Sequence, residues 1–187
     1  MRKIQVISTC MILIFAICII AYVVLEKKTS SSDDKSVIST ENEKTLSMNT
    51  ENIVLKDLIT SNKTSINFSE KPTALLFFTS WCPYCNEDAP KIVELQNKYK
   101  DNMNVFGINL IYRDDIDEVR SYVKNYKIEY PVLLDETGDI YEKYGGSGFP
   151  ALYFFNSKGE LIDQIIGSSD IEYIESSFIN LQEKFNL

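Results

Sequence analysis

The chain has 187 residues, 44% of them apolar and 25% charged, with a net charge of −8 at neutral pH. That suits one ordinary domain plus an attached segment, neither wholly disordered nor fibrous. It contains no histidine and only three arginines, Arg2, Arg113 and Arg120: this excludes Ser-His-Asp and Cys-His nucleophile chemistry and His-ligated zinc, and denies a nucleic-acid partner the clustered cations it needs.

Arg2 and Lys3 precede an apolar stretch, Ile4 to Leu25, that runs without a polar interruption from Met11 onward. Its 22 residues span roughly 33 Å as a helix, enough to cross a bilayer. The stretch is longer than a signal-peptide core and lacks a small-x-small cleavage site behind it. Residues 1–28 are therefore expected to form a single transmembrane signal anchor with the N-terminus cytoplasmic, since the positive charge is heavier on that side. Cys18 follows Ile17 and Cys10 lies close to the start, so both read as small apolar residues of the span, not as lipidation sites. Residues 29–50 hold ten Ser or Thr and few apolar residues, which predicts a flexible linker. The remaining 51–187 form the folded unit, placed by this topology on the extracytoplasmic face of the cell membrane. Residues 29–187 carry 15 basic and 26 acidic groups, so this part should be soluble and disinclined to lie on anionic lipid.

Ile53 to Leu58 and Ser65 to Phe68 read as a leading hairpin. Thr73 to Thr79, a continuous apolar run, predicts a central strand covered on both faces. From Cys82 to Tyr99, Ala89, Ile92, Val93, Leu95 and Tyr99 recur at helical spacing, and Val105 to Ile111 is a second buried strand. A strand-helix-strand unit makes the two strands parallel. Asp114 to Tyr126 predicts a helix with Ile116, Val119, Tyr122, Val123 and Tyr126 on one face and Asp114, Asp115 and Asp117 at the favourable end of its dipole. That acidic cluster lacks the spacing of a calcium loop. Pro131 to Leu134 is a short strand and Ile140 to Tyr144 a helical turn. Ala151 to Phe155 and Leu161 to Ile166 flank the turn Asn156-Ser-Lys-Gly-Glu160. A capping box, Ser169-Asp-Ile-Glu172, opens a last helix with Ile171, Ile174, Phe178, Ile179, Leu181 and Phe185 on its apolar face.

The chemistry lies in Trp81-Cys82-Pro83-Tyr84-Cys85, where a buried strand turns into a helix. Two cysteines separated by two residues at a helix start can close a disulfide within one turn. The first points at the unpaired N–H groups and the positive dipole end, which stabilises a thiolate. Cys82 is then the attacking, more exposed sulfur and Cys85 the resolving one. The competing readings are a permanent structural disulfide and a zinc half-site. Zinc would need two more ligands, in a chain with no histidine and no other cysteine outside the span.

Together with Gly148-Phe149-Pro150 before the strand Ala151 to Phe155, these residues make the chain from about Asn52 onward resemble the thioredoxin superfamily, and within it the membrane-anchored TlpA and ResA-like thiol-disulfide oxidoreductases. The resemblance implies an α/β thioredoxin-like fold, a central mixed sheet flanked by helices, with an added N-terminal hairpin and an inserted helix. It also implies that Phe149-Pro150 is a cis peptide beside the cysteines, with the Phe149 backbone pairing with a substrate strand and Trp81, Pro83 and Tyr84 lining the substrate side. The plain alternative for Pro150 is a strand-entry residue. Asp88 matches the acidic residue such relatives carry, usually Glu, and would take or hold a proton when Cys85 is deprotonated; the alternative is an ordinary first-turn acid. Pro90 matches a kink in the active-site helix. Where thioredoxin has a buried Asp before its first cysteine, this chain has Leu76.

The resemblance implies a membrane-tethered, extracytoplasmic reductase working through a Cys82-Cys85 dithiol/disulfide couple without a cofactor, with monomer as the default state. Its partners would be disulfides of exported proteins, including apocytochrome c, and a CcdA-type membrane protein as electron donor. A disulfide-forming oxidase would use the same residues in reverse. A thioredoxin-fold peroxidase is suggested by Thr79-Ser-Trp-Cys82 but meets Leu75 where a Pro is expected. A redox-inert adaptor would bind partners through Phe149 and the surrounding groove.

Overall fold

In a computed structural model the chain is described over residues 53–144 and 146–185. The expected anchor and linker, residues 1–50, lie outside the described residues. Among the described residues, no helix is long and apolar enough to cross a membrane.

Strand β3, Thr73–Phe78, is buried at every position, and the other elements are arranged about it. Its side chains alternate between two cores, as the period of two requires. Ala74, Leu76 and Phe78 enter one cluster; Leu75 and Phe77 enter the other. Fully burying a residue such as Phe78 contributes about 1.5–3 kcal/mol. Beside β3 runs β4, Asn104–Asn109, in parallel register with Leu76 opposite Gly107; on the other side β6, Ala151–Phe155, is antiparallel with Leu76 opposite Leu152. Gly107 is where a side chain would crowd: an added Cβ would meet Phe78 and Tyr130 at 3.2 Å.

The sheet has seven strands in the order β2-β1-β5-β4-β3-β6-β7. The leading hairpin, β1 Ile53–Asp57 and β2 Lys63–Ile66, joins this same sheet through an antiparallel pairing of β1 with β5, Val132–Leu134. At the opposite edge β7, Leu161–Ile166, closes a hairpin with β6.

Three helices cover the face that receives Leu76 and Phe78: α1 Pro83–Tyr99, α2 Ile116–Asn125 and α4 Ile171–Phe185. The short α3, Asp139–Lys143, covers the other face through Tyr141. Helix α1 buries Ala89, Ile92, Leu95 and Tyr99, as its periodicity predicts.

Several boundaries differ from expectation, and β2 runs over Lys63–Ile66 where the sequence predicts Ser65 to Phe68. The second buried strand stops at Asn109, and Ile111–Arg113 is a 3-10 turn, because Leu110 donates its N–H to Phe78 O and the chain bends there. Helix α2 starts at Ile116, capped by Asp115, whose carboxylate accepts from Asp117 and Glu118 N–H; Asp114 is left outside. Helix α4 starts one residue later than the Ser169 box predicts, and Asp170 O accepts its first backbone bond. On α4, Ile174, Phe178 and Leu181 are buried, whereas Ile179 is 41% exposed.

Candidate active site

Between the end of β3 and the start of α1, four residues, Thr79 to Cys82, carry the chain over the edge of the sheet. They are pinned by a carboxylate from the far side of β4. Asp114 accepts from Ser80 N–H and Ser80 Oγ, each at 2.6 Å, and from Asn109 Nδ2 at 2.8 Å. Trp81 donates its indole N–H to Arg113 O at 2.9 Å. Read along the chain, Asp114 looks like a helix-start acid; in the fold it anchors the segment that delivers Cys82.

Cys82 is the N-cap of α1, with Pro83 at the first helical position, where a missing N–H is harmless and a fixed φ is pre-organised. Contrary to expectation, no N–H of the helix start donates to Cys82 Sγ. The thiol instead donates to Phe149 O at 3.7 Å. Phe149-Pro150 is a cis peptide, so the loop before β6 and the cap of α1 meet at the first sulfur. The expected contrast in exposure is slight: Cys82 is 4% exposed and Cys85 2%, and both are free thiols. The Phe149 ring packs edge-on against Trp81 at 5.5 Å, with the Arg113 guanidinium over it at 5.4 Å.

Cys85 lies one turn into α1. Burial pushes its thiol far up from the ordinary value, and the charges of Cys82 and Asp88 add to the rise; a backbone hydrogen bond from Thr79 opposes it. Tyr122 of α2 donates its hydroxyl to Cys85 O at 2.8 Å and stacks on Phe78 at 5.0 Å. Desolvation likewise drives the Tyr122 hydroxyl upward.

Asp88 is 1% exposed and lies in the second turn of α1, not the first, which removes the reading as a solvated first-turn acid. Its Oδ1 accepts from Lys91 Nζ at 2.8 Å and from Ser168 Oγ at 2.6 Å. Burial works against the Lys91 ammonium, but Asp88 and Glu87 outweigh it and hold the lysine above its ordinary value.

The fold thus brings Cys82, Cys85, Phe149, Pro150 and Trp81 together. Pro83 and Tyr84 stand exposed at the rim, Tyr84 at 59%, and Asp88 follows on the same helix behind Cys85. An open groove beside Tyr84, with a volume of about 480 Å³, is lined by Glu87, Ser168, Ser169, Asp170 and Tyr173. Sequence reasoning missed Asp114, Tyr122, Lys91 and Ser168. Only Lys91, three residues after Asp88, carries a local signal; Ser168 is 80 residues from its partner.

A sheet of this topology with a Cys-x-x-Cys pair at the start of the helix after its central strand defines a thioredoxin-like thiol-disulfide oxidoreductase. The profile of the AhpC/TSA family matches residues 49–164. The chain is 31% identical over 128 residues to the thiol-disulfide oxidoreductase ResA of Bacillus thuringiensis, covering 66% of this chain and 71% of that protein. Among solved structures it resembles StoA from Bacillus subtilis, with a TM-score of 0.60 and 25% identity over 68% of this chain and 96% of that one. A secreted disulfide oxidoreductase of Mycobacterium tuberculosis shares the fold at a TM-score of 0.62 and 23% identity, over 69% of this chain and 96% of that one. The chain belongs to the AhpC/TSA family and, within it, to the ResA-like thiol-disulfide oxidoreductases.

Proposed function

We propose that the protein works as a reductase of disulfides in exported proteins, tethered by residues 1–28 to the outer face of the cell membrane and recharged by a CcdA-type electron donor. Cytochrome c maturation is the substrate setting the ResA-like relationship favours. The observation that carries the direction is the state of the two sulfurs. A strong oxidant stabilises its reduced form, yet here Cys82 receives no hydrogen bond from the helix start and Cys85 is pushed strongly toward the protonated thiol by burial. Burial of Cys85 outweighs the Thr79 backbone bond that opposes it, and a dithiol whose resolving thiolate is disfavoured gives up its electrons more readily.

In the forward reaction Cys82 Sγ attacks a substrate disulfide and forms a mixed disulfide, releasing one substrate thiol. The substrate backbone pairs beside Phe149, and exposed Trp81 and Tyr84 flank the incoming chain. Cys85 then loses its proton to Asp88, attacks Cys82 Sγ and releases the second substrate thiol. The enzyme ends oxidised, two electrons poorer.

Equilibration of the full chain in dithiothreitol or glutathione buffers measures the potential of the couple. A value near or below ~−270 mV supports the reductase, and one near ~−120 mV assigns the oxidase direction instead. Cys82→Ser should abolish insulin reduction, and Cys85→Ser should accumulate the mixed disulfide; retained activity in the Cys82 variant would overturn the mechanism. Peroxide consumption in stopped flow would point to the peroxidase.

A further inference from the structure

Cys85, Asp88 and Lys91 follow at intervals of three on α1 and so share one face of the helix. The two oxygens of Asp88 differ in state. Oδ1 is held twice, by Lys91 and Ser168, whereas Oδ2 is buried without a hydrogen-bond partner among the described residues. A buried carboxylate oxygen left unpaired is costly and is an acceptor facing a place where a donor belongs. The group nearby that has to shed a proton is Cys85, which is buried one turn before Asp88 on the same helix and interacts with the Asp88 charge.

Lys91 is itself clamped. Its ammonium donates to Ser169 O at 2.8 Å and reaches Glu87 at 3.2 Å and Ser168 Oγ at 3.5 Å, so it bridges α1 to the β7–α4 connection. The titratable and charged groups around the pair are Glu87, Lys91 and Cys82 from α1 and its cap, and Tyr122 from α2; Ser168 and Ser169 from the β7–α4 connection add polar atoms but no charge. Lys91 is the cation paired with Asp88 among the described residues.

We propose that Lys91 is the positioning residue of the resolving step: by fixing Asp88 through Oδ1 as a charged group, it leaves Oδ2 as the oxygen that receives the Cys85 proton. This rests on the dithiol reading above. The Cys85 S–H bond breaks and its proton passes to Oδ2. The thiolate attacks Cys82 Sγ in the mixed disulfide, the Cys82–Cys85 bond forms, and the substrate sulfur leaves with the bonding pair and takes a proton from solvent. Without the ammonium the buried carboxylate has no counter-charge and burial favours its protonated form. It is then already occupied when Cys85 has to release its proton.

The test uses the reduced full chain and 5,5′-dithiobis(2-nitrobenzoate) in stopped flow. Thionitrobenzoate is released once when Cys82 attacks and again when Cys85 resolves, so the second phase reports the step in question. In Lys91→Met the acid limb of the second phase should move to higher pH by about one unit or more, a slowing of about tenfold below the limb relative to the first phase. Lys91→Arg should restore the limb, and Asp88→Asn should remove it. If Lys91→Met does not fold, Lys91→Gln is read the same way. A folded Lys91 variant whose limb stays in place overturns the proposal, even if it is less stable. A second phase unchanged in Asp88→Asn overturns the proton-acceptor reading, and a wild type without a second phase overturns the dithiol mechanism.

Discussion

Removing the carboxylate of Asp114 tests whether the segment before Cys82 is held from across the sheet. It accepts from Ser80 N–H, Ser80 Oγ and Asn109 Nδ2, and also from Asp115 N–H at 2.9 Å. A hydrogen bond to a charged group contributes about 1.5–3 kcal/mol when made alone, but these four share one carboxylate at a half-buried site where water can replace part of the loss. Asn109 Nδ2 also retains Phe78 O at 3.3 Å. Asp114→Ala should therefore cost about 3–4 kcal/mol, not the sum of four bonds. With a urea m-value of about 2 kcal/mol/M for a domain of this size, the unfolding midpoint should fall by about 1.5–2 M. A domain of ordinary stability, about 5–15 kcal/mol, still folds after that loss. Asp114→Asn should cost nearly as much, because its amide turns a donor toward donors. With Ser80 released, insulin reduction should slow by about tenfold or more even under conditions where the variant is fully folded, since small misplacements of a reacting group are expensive. A midpoint within about 0.5 M of wild type, or full activity, would refute the reasoning.

The buried Cys85 thiol makes a pH prediction. Its folded-state value is raised above the ordinary 9.0, so its contribution to the stability of the reduced protein is fully present below that pH and is lost above it. Relative to Cys85→Ala, the reduced wild type should lose about 1.4 kcal/mol between pH 8 and 10, read from urea midpoints at each pH; a constant difference would contradict the burial argument. Tyr122→Phe should remove the buried bond to Cys85 O while keeping the ring stacked on Phe78, costing about 1 kcal/mol in urea unfolding. A loss above about 3 kcal/mol would mean that the hydroxyl supports more than this one bond.

Much of the scaffold was legible along the chain because it is local. The unbroken apolar run of β3, the three- and four-residue spacing of α1 and the turn around Gly159 each express one conformational period over a few residues. So does the Cys82-Cys85 pair, whose spacing is that of one helical turn. The limits of the same reasoning show at the ends of elements. Asp114, Asp115 and Asp117 look alike in sequence, and only the backbone path decides that Asp115 caps α2 while Asp114 turns back to Ser80.

The sequence by itself determined the α/β order, the parallel unit at the centre and the place of the Cys82-Cys85 pair at a helix start, since these follow from side-chain periodicity and spacing. Tertiary structure alone decided which faces the helices cover, that the leading hairpin extends the sheet through β5, and how the site is held. Phe149 O reaches Cys82 across 67 residues and Ser168 reaches Asp88 across 80. Hydrogen bonds between such distant residues leave no trace in local spacing, because they exist only once burial has folded the strands and helices onto one core.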